Sequence, residues 1–187
     1  TEEVNIMRAE DQVEYNLHGI NLVQVRPQIG LDFQAALKGF LRQDPNIIMV
    51  GEIRDLTTGG IAIKAALTGH LVLSTLHTND APSTVTRLID MGLEPFNVAA
   101  ALNLVTAQRL LRRICNNCKV EATYTDEELR AGKMPDEFIQ RVTFYKGEGC
   151  DECGGSGYRG RQGLYEVMSV TSTLRKLIMQ AVGTDEL

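Results

Sequence analysis

The apolar positions of the chain fall into two rhythms. Residues 4–7 and 20–25 read as short strands. In the second, Ile20, Leu22 and Gln24 alternate against Asn21, Val23 and Val25, so both faces carry apolar side chains and the strand is expected inside a sheet. The rhythm then changes. Phe33, Ala36, Leu37, Phe40 and Leu41 recur at helical spacing behind Asp32, the expected N-cap. Asp44-Pro45 stops this helix, because a residue before proline is driven out of the helical region. Residues 47–50 form an apolar run suited to a buried strand, an Ala-rich helix is expected over 57–67, and residues 71–73 with Leu76 make another buried strand. Strands alternating with helices imply parallel βαβ units.

Residues 81–91 and 96–113 continue in helical rhythm. The second segment is apolar through Val105 and then basic at Arg109, Arg112 and Arg113, the sign favoured at a helix C-terminus. Composition shifts at Cys115, where two Cys pairs bracket a polar stretch with a short acidic helix near 126–130, and residues 147–163 are rich in glycine. Leu174, Leu177, Ile178 and Ala181 mark a closing helix. Three parts are therefore expected: an α/β core over residues 1–114, an appended module over 115–165 and a C-terminal helix over 166–187.

With 187 residues, 43% of them hydrophobic, the chain can bury one good core and a small satellite. A net charge of -5 offers no general basic field, which argues against nucleic acid as a main partner. No apolar run approaches the ~20 residues that span a bilayer, so the chain is expected in the cytoplasm or held at a membrane surface by other proteins. It starts at Thr1 with almost no lead-in before the first strand, the pattern expected of a piece of a longer chain.

Candidate chemistry gathers where strands end. Glu52 stands just past the run 47–50, the position at which open α/β sheets bind ligands and NTPases place an acid for Mg²⁺; a surface glutamate is the plainer alternative. The acidic segment from Glu10 to Glu14 also follows a strand, and serves either a cation or proton transfer or simply solvation. His70 and His77 flank the run 71–76, with Thr75, Thr78 and Asn79 at its exit, where they can sense a phosphate or cap the next helix through Asp80 or Ser83. Three such loops on consecutive strands converge on one edge of a sheet. No G-x-x-x-x-G-K-[ST] phosphate loop occurs in these residues, so half of a nucleotide site is expected.

Cys115-x-x-Cys118 and Cys150-x-x-Cys153 match four-thiolate Zn²⁺ coordination, which would be structural because it leaves no open position. Redox dithiols, disulfides and free thiols are the rival readings. Gly149, Gly154, Gly155 and Gly157 permit tight turns about a metal.

Taken together, the motifs resemble those of the type II secretion and type IV pilus-assembly ATPases: an acidic box at 10–14, a Walker B region at 41–55, a histidine box at 68–79, and a tetracysteine extension carrying Gly157-Tyr158-Arg159-Gly160-Arg161. The resemblance implies part of a RecA-like P-loop NTPase core with a small zinc module. The intact protein would be a hexameric ATPase, cytoplasmic and peripheral to the inner membrane, that binds ATP and Mg²⁺ and moves pilins or pseudopilins through an inner-membrane platform protein. It further implies Glu10 as general base, Glu52 as the Mg²⁺-associated acid, His77 as the terminal-phosphate contact with His70 beside it, and Arg54 as a link between neighbouring sites. Gln12 stands where the acidic box usually has proline. The phosphate loop is expected upstream, and the isolated chain is expected to be inactive. A non-enzymatic, zinc-stabilised module docking a platform protein is the alternative function. A Hsp40-like zinc adaptor would rest on residues 150–157 alone.

Overall fold

The computed structural model of the chain describes residues 3–139 and 141–187. Its first half is a parallel sheet. Strand β1 (Ile6–Glu10) pairs with β2 (Asn21–Gln24) and with β3 (Ile47–Val50), and β3 pairs with β4 (Leu71–Ser74), all parallel, giving the order β2-β1-β3-β4. Ala9 is level with Val50, and Val50 with Ser74, so the C-terminal ends of three adjacent strands finish side by side.

Helices α1 (Phe33–Phe40) and α2 (Leu56–Leu67) join these strands. Each begins on an aspartate: Asp32 accepts from Ala35 N at 2.7 Å, and Asp55 from Thr58 N at 2.8 Å. The Thr58 amide, bonded to the Asp55 carboxylate, holds that carboxyl below its ordinary range. One core lies between helices and sheet, where Ala9, Ile48 and Val50 meet Ala36, Leu37, Phe40, Ala62 and Ala65.

The sheet edges depart from expectation. Strand β2, read as internal from its two apolar faces, is an edge strand among the described residues. Strand β4 is the other edge, and Leu71 and Leu73, expected to be buried, are 53% and 45% exposed. They lie on the face opposite the one packed on α1 and α2. A buried-strand pattern here reports what the side chains suit, not how many neighbours these residues supply.

A second core unites α3 (Ala81–Asp90), α4 (Pro95–Ala101) and, from the far end of the chain, α7 (Ser172–Met179), through Val85, Leu88, Val98, Leu174 and Ile178. Arg175 ties α7 to α4 by donating to the carbonyls of Ala99 and Ala100, the last of these at 3.3 Å.

The helix expected over residues 96–113 is corrected here. Helix α4 stops at Ala101, Leu102 is extended, and Leu104–Ile114 form strand β5, paired with β8 (Tyr158–Ser169). Ala, Leu and Arg favour helix locally, but the backbone here finds its partners in a strand some fifty residues away, and pairing of that kind overrides local preference. Between β5 and β8 come the antiparallel pair β6 (Lys119–Ala122) and β7 (Phe144–Gly147), with the short helices α5 (Asp126–Ala131) and α6 (Asp136–Ile139) between them. Contacts divide the chain into one compact unit of residues up to 107 with Glu166–Leu187, and another of Gln108–Tyr165. Among the described residues no helix is long and apolar enough to cross a membrane.

Candidate functional site

Beyond the regular ladder, the three strand ends stay tied. Gly51 N donates to Ala9 O at 2.8 Å, Thr75 Oγ1 to Gly51 O at 2.7 Å, and Ile53 N to Thr75 O at 3.0 Å. Gly51 has a steric reason to be glycine, since a Cβ there would sit 3.1 Å from Ala9 O and 3.4 Å from Glu10 Cα. Glu10, the last residue of β1, and Glu52, two past the end of β3, therefore emerge on one edge of the sheet.

Glu52 is 12% exposed, and its Oε2 receives Arg54 Nε and lies 3.2 Å from His77 Nε2. Arg54 reaches back to Asp11 Oδ2 at 4.0 Å. His77 itself is 83% exposed and free to meet a ligand. Glu10 is paired with Arg8 and is 13% exposed. Three carboxylates thus face two guanidiniums and one imidazole, so the edge is less acidic than the motif alone suggests.

The structure brings Glu10, Glu52, Arg54 and His77 to this edge, and leaves His70 out. His70 precedes β4 at the opposite end of the sheet, where its Nδ1 lies 3.0 Å from Ala65 O and 3.1 Å from Thr68 Oγ1, closing the turn after α2. Thr75 and Asp80 have structural tasks: Thr75 holds Gly51, and Asp80 caps α3 by accepting from Ser83 N at 2.8 Å. Arg8 belongs to none of the sequence motifs. Its spacing of two from Glu10 on a strand is the signal that finds it.

The second site is in the Gln108–Tyr165 unit. The four sulfurs of Cys115, Cys118, Cys150 and Cys153 lie within 4.8 Å of one another. Cys115 to Cys150 and Cys118 to Cys153 are 3.9 Å, and Cys150 to Cys153 is 3.7 Å. Sulfurs at about 2.3 Å from one ion, in a regular tetrahedron, lie roughly 3.8 Å apart, so the cluster fits a four-thiolate metal site. Disulfides would need sulfurs at about 2.05 Å.

Polar hydrogens already surround these sulfurs. Gly149 N donates to Cys118 Sγ at 3.3 Å, and Cys150 N and Gly157 N both donate to Cys153 Sγ at 3.2 Å. The Cys150 amide, with that of Gly157, brings the Cys153 thiol down to about 6, and the Asn117 side-chain amide lowers Cys150. Burial instead pushes Cys118 up to about 11. Both thiols of the second pair thus lie below the ordinary thiol range, the direction that favours metal binding.

Gly147 and Gly157 approach so closely that a Cβ on Gly157, at φ +73°, would lie 2.5 Å from Gly147 O. Gly157 O also receives Cys115 N at 3.0 Å. Gly157→Ala is expected to destabilise this unit by about 1–3 kcal/mol through positive-φ strain and forced separation. Faster metal loss to a chelator than in the unsubstituted chain is the measurement that checks it.

The family model described as "Type II/IV secretion system protein" matches residues 1–187. The chain is 56% identical over 99% of its length to a type IV pilus assembly ATPase PilB of Myxococcus xanthus, of which it spans 33%. It is 46% identical over 97% of its length to a type II secretion system ATPase E of Vibrio cholerae, spanning 36% of that protein. The chain therefore covers about a third of these relatives. Among solved structures, the pilus retraction motor PilT with bound ADP matches 95% of the chain and 42% of its own at a TM-score of 0.64 and 28% identity. The ATPase DotB of Legionella pneumophila, at 21% identity and a TM-score of 0.61, shares the fold. The chain belongs to the type II/IV secretion system protein family.

Proposed function

We propose that this chain is part of a hexameric ATPase motor that couples ATP hydrolysis to type IV pilus assembly or type II secretion, and that it contributes the acidic half of a RecA-like nucleotide site. The observation that carries the reading is the meeting of Glu10, Glu52, Arg54 and His77 at the C-terminal ends of adjacent parallel strands. Ligands of open α/β sheets bind at such an edge. Relatives named as pilus-assembly and secretion ATPases support it.

Glu52 would hold Mg²⁺ directly or through water; both its protein contacts fall on Oε2, leaving Oε1 to face a ligand. When bound, that ion neutralises phosphate charge. Glu10 would orient the attacking water, and His77, largely exposed yet anchored to Glu52, would contact the terminal phosphate. Arg54, linked to both Glu52 and Asp11, is suited to couple this site to a neighbouring subunit. His70 is too far along the sheet for such contact, and we assign it the α2 to β4 turn. Cys115, Cys118, Cys150 and Cys153 would hold one structural Zn²⁺. Cytoplasmic placement at the inner membrane, against a platform protein, belongs to the same proposal.

The phosphates need a nest of backbone N–H groups and a lysine, which these residues do not provide as a G-x-x-x-x-G-K-[ST] loop. Calorimetric titration of the 187-residue chain with Mg-ATP is expected to show at best millimolar affinity. A longer version that includes a phosphate loop should bind in the micromolar range. Micromolar, Mg²⁺-dependent binding by the 187 residues alone would overturn the half-site reading.

A further inference from the structure

Strand β1 sends alternate side chains to opposite faces. Ala9 is fully buried in the core, whereas Arg8 and Glu10 share the other face. In the ladder Arg8 stands between Leu22 of β2 and Met49 of β3, neither of which can answer a guanidinium, and Glu10 stands beside Gln24. Gln24 turns its amide to Asp11 O at 3.3 Å. Arg8 closes onto Glu10 instead: Nη2 is paired with Oε1, with the two side chains only 17% and 13% exposed. The other carboxylate oxygen is in a different state. Glu10 Oε2 is buried and, among the described residues, has no hydrogen-bond partner. An unpaired buried acceptor is costly, and it is explained when the missing hydrogen comes from a group that arrives with the ligand.

We propose that Arg8 is a positioning residue for ATP hydrolysis: by occupying Oε1 it leaves Oε2 as the one oxygen of the Glu10 carboxylate with acceptor capacity for the attacking water. The inference rests on the reading of Glu10 as the water-orienting carboxylate. A free carboxylate can rotate and accept through either oxygen, and catalysis by positioning is sensitive to such freedom. The guanidinium engages one oxygen through a directional, charge-assisted bond.

The test is steady-state and single-turnover ATP hydrolysis by a full-length protein carrying this chain. Arg8→Met, which keeps an apolar stem between Leu22 and Met49, is expected to lower kcat about 10-fold, with KM for Mg-ATP changed less than about 2-fold. Arg8→Lys, which keeps the charge and loses the planar fork, should recover part of that loss. In a Glu10→Gln background, Arg8→Met should cause no further loss, because the carboxylate it positions has gone. A purely structural role would instead slow both backgrounds by the same factor, and that outcome overturns the proposal. So does wild-type kcat in Arg8→Met. If Arg8→Met does not fold, Arg8→Lys is compared with Arg8→Gln: a faster lysine variant supports the proposal, and equal rates overturn it. Wild-type turnover in Glu10→Gln removes the reading of Glu10 itself. A slow Glu10→Gln beside a fast Arg8→Met removes only the role of Arg8.

Discussion

Cys150→Ser is expected to release one equivalent of zinc per chain and to leave the Gln108–Tyr165 unit open to protease. The reason lies in how little else holds that unit together. Of the buried hydrophobic residues described in the chain, only Cys115 and Ile139 fall within it. Its helices α5 and α6 are short, and its aromatic contacts, Tyr124 on Phe144, Arg112 over Tyr158 and Lys119 over Tyr145, involve rings at or near the surface. A domain with so small an apolar core depends on a staple. Cys150 is the sulfur that approaches both Cys115 and Cys153, and its own N–H holds Cys153. Serine removes a soft ligand and leaves three thiols unable to complete a tetrahedron. Elemental analysis should show near-stoichiometric zinc in the unsubstituted chain and little in the variant. Proteolysis should cut between residues 108 and 165 and spare the α/β unit. A variant without metal that resists protease as the parent does would remove the metal from the account of stability.

Several parts of the fold are legible from residue spacing because their causes are local. Asp32 and the stripe Phe33, Ala36, Leu37 and Phe40 specify α1 by capping and burial of one face, and the structure shows both. The run 47–50 is short, apolar and closed by glycine, and it is strand β3. Legibility ends where the cause is distant. Residues 104–114 carry helix-forming Ala, Leu and Arg, yet they pair with Tyr158–Ser169, and nothing within a window of either segment announces the other. Leu71 and Leu73 suit a buried strand, but burial depends on neighbours on both sides, and these residues supply a neighbour on one.

The site divides in the same way. Glu10, Glu52 and His77 reach one edge because strand ends in a parallel sheet share it, and position in the strand is enough to place them there. His70 and His77 flank one motif, but a four-residue strand at about 3.3 Å per residue separates its ends by roughly 13 Å. Arg8 lies inside a strand and outside every motif, where only the two-residue period links it to Glu10. The four cysteines were legible from spacing alone, since two x2 pairs satisfy a tetrahedron whatever fold brings them together.

Glu52→Gln, in a full-length protein carrying this chain, is expected to lower kcat on the order of 100-fold or more while leaving ATP binding within a few-fold of wild type. The substitution changes charge and hardly changes shape. Glu52 Oε2 receives Arg54 Nε and lies 3.2 Å from His77 Nε2, so the carboxylate holds a guanidinium on one side and an imidazole on the other. A glutamine oxygen can still accept from Arg54, but its amide nitrogen is a donor and cannot serve a metal ion that requires hard anionic oxygen. If ground-state binding rests on a phosphate loop outside these residues, as proposed, affinity should change little. Charge develops on the transferring phosphoryl group in the transition state, and it is there that loss of the anionic ligand is felt. Replacement of His77 perturbs the same oxygen from one side only, so a far larger loss in Glu52→Gln than in His77→Ala would place the main effect on the carboxylate. Equal turnover in wild type and Glu52→Gln, with binding intact, would take Glu52 out of the mechanism and leave the convergence of strand ends as architecture without catalysis.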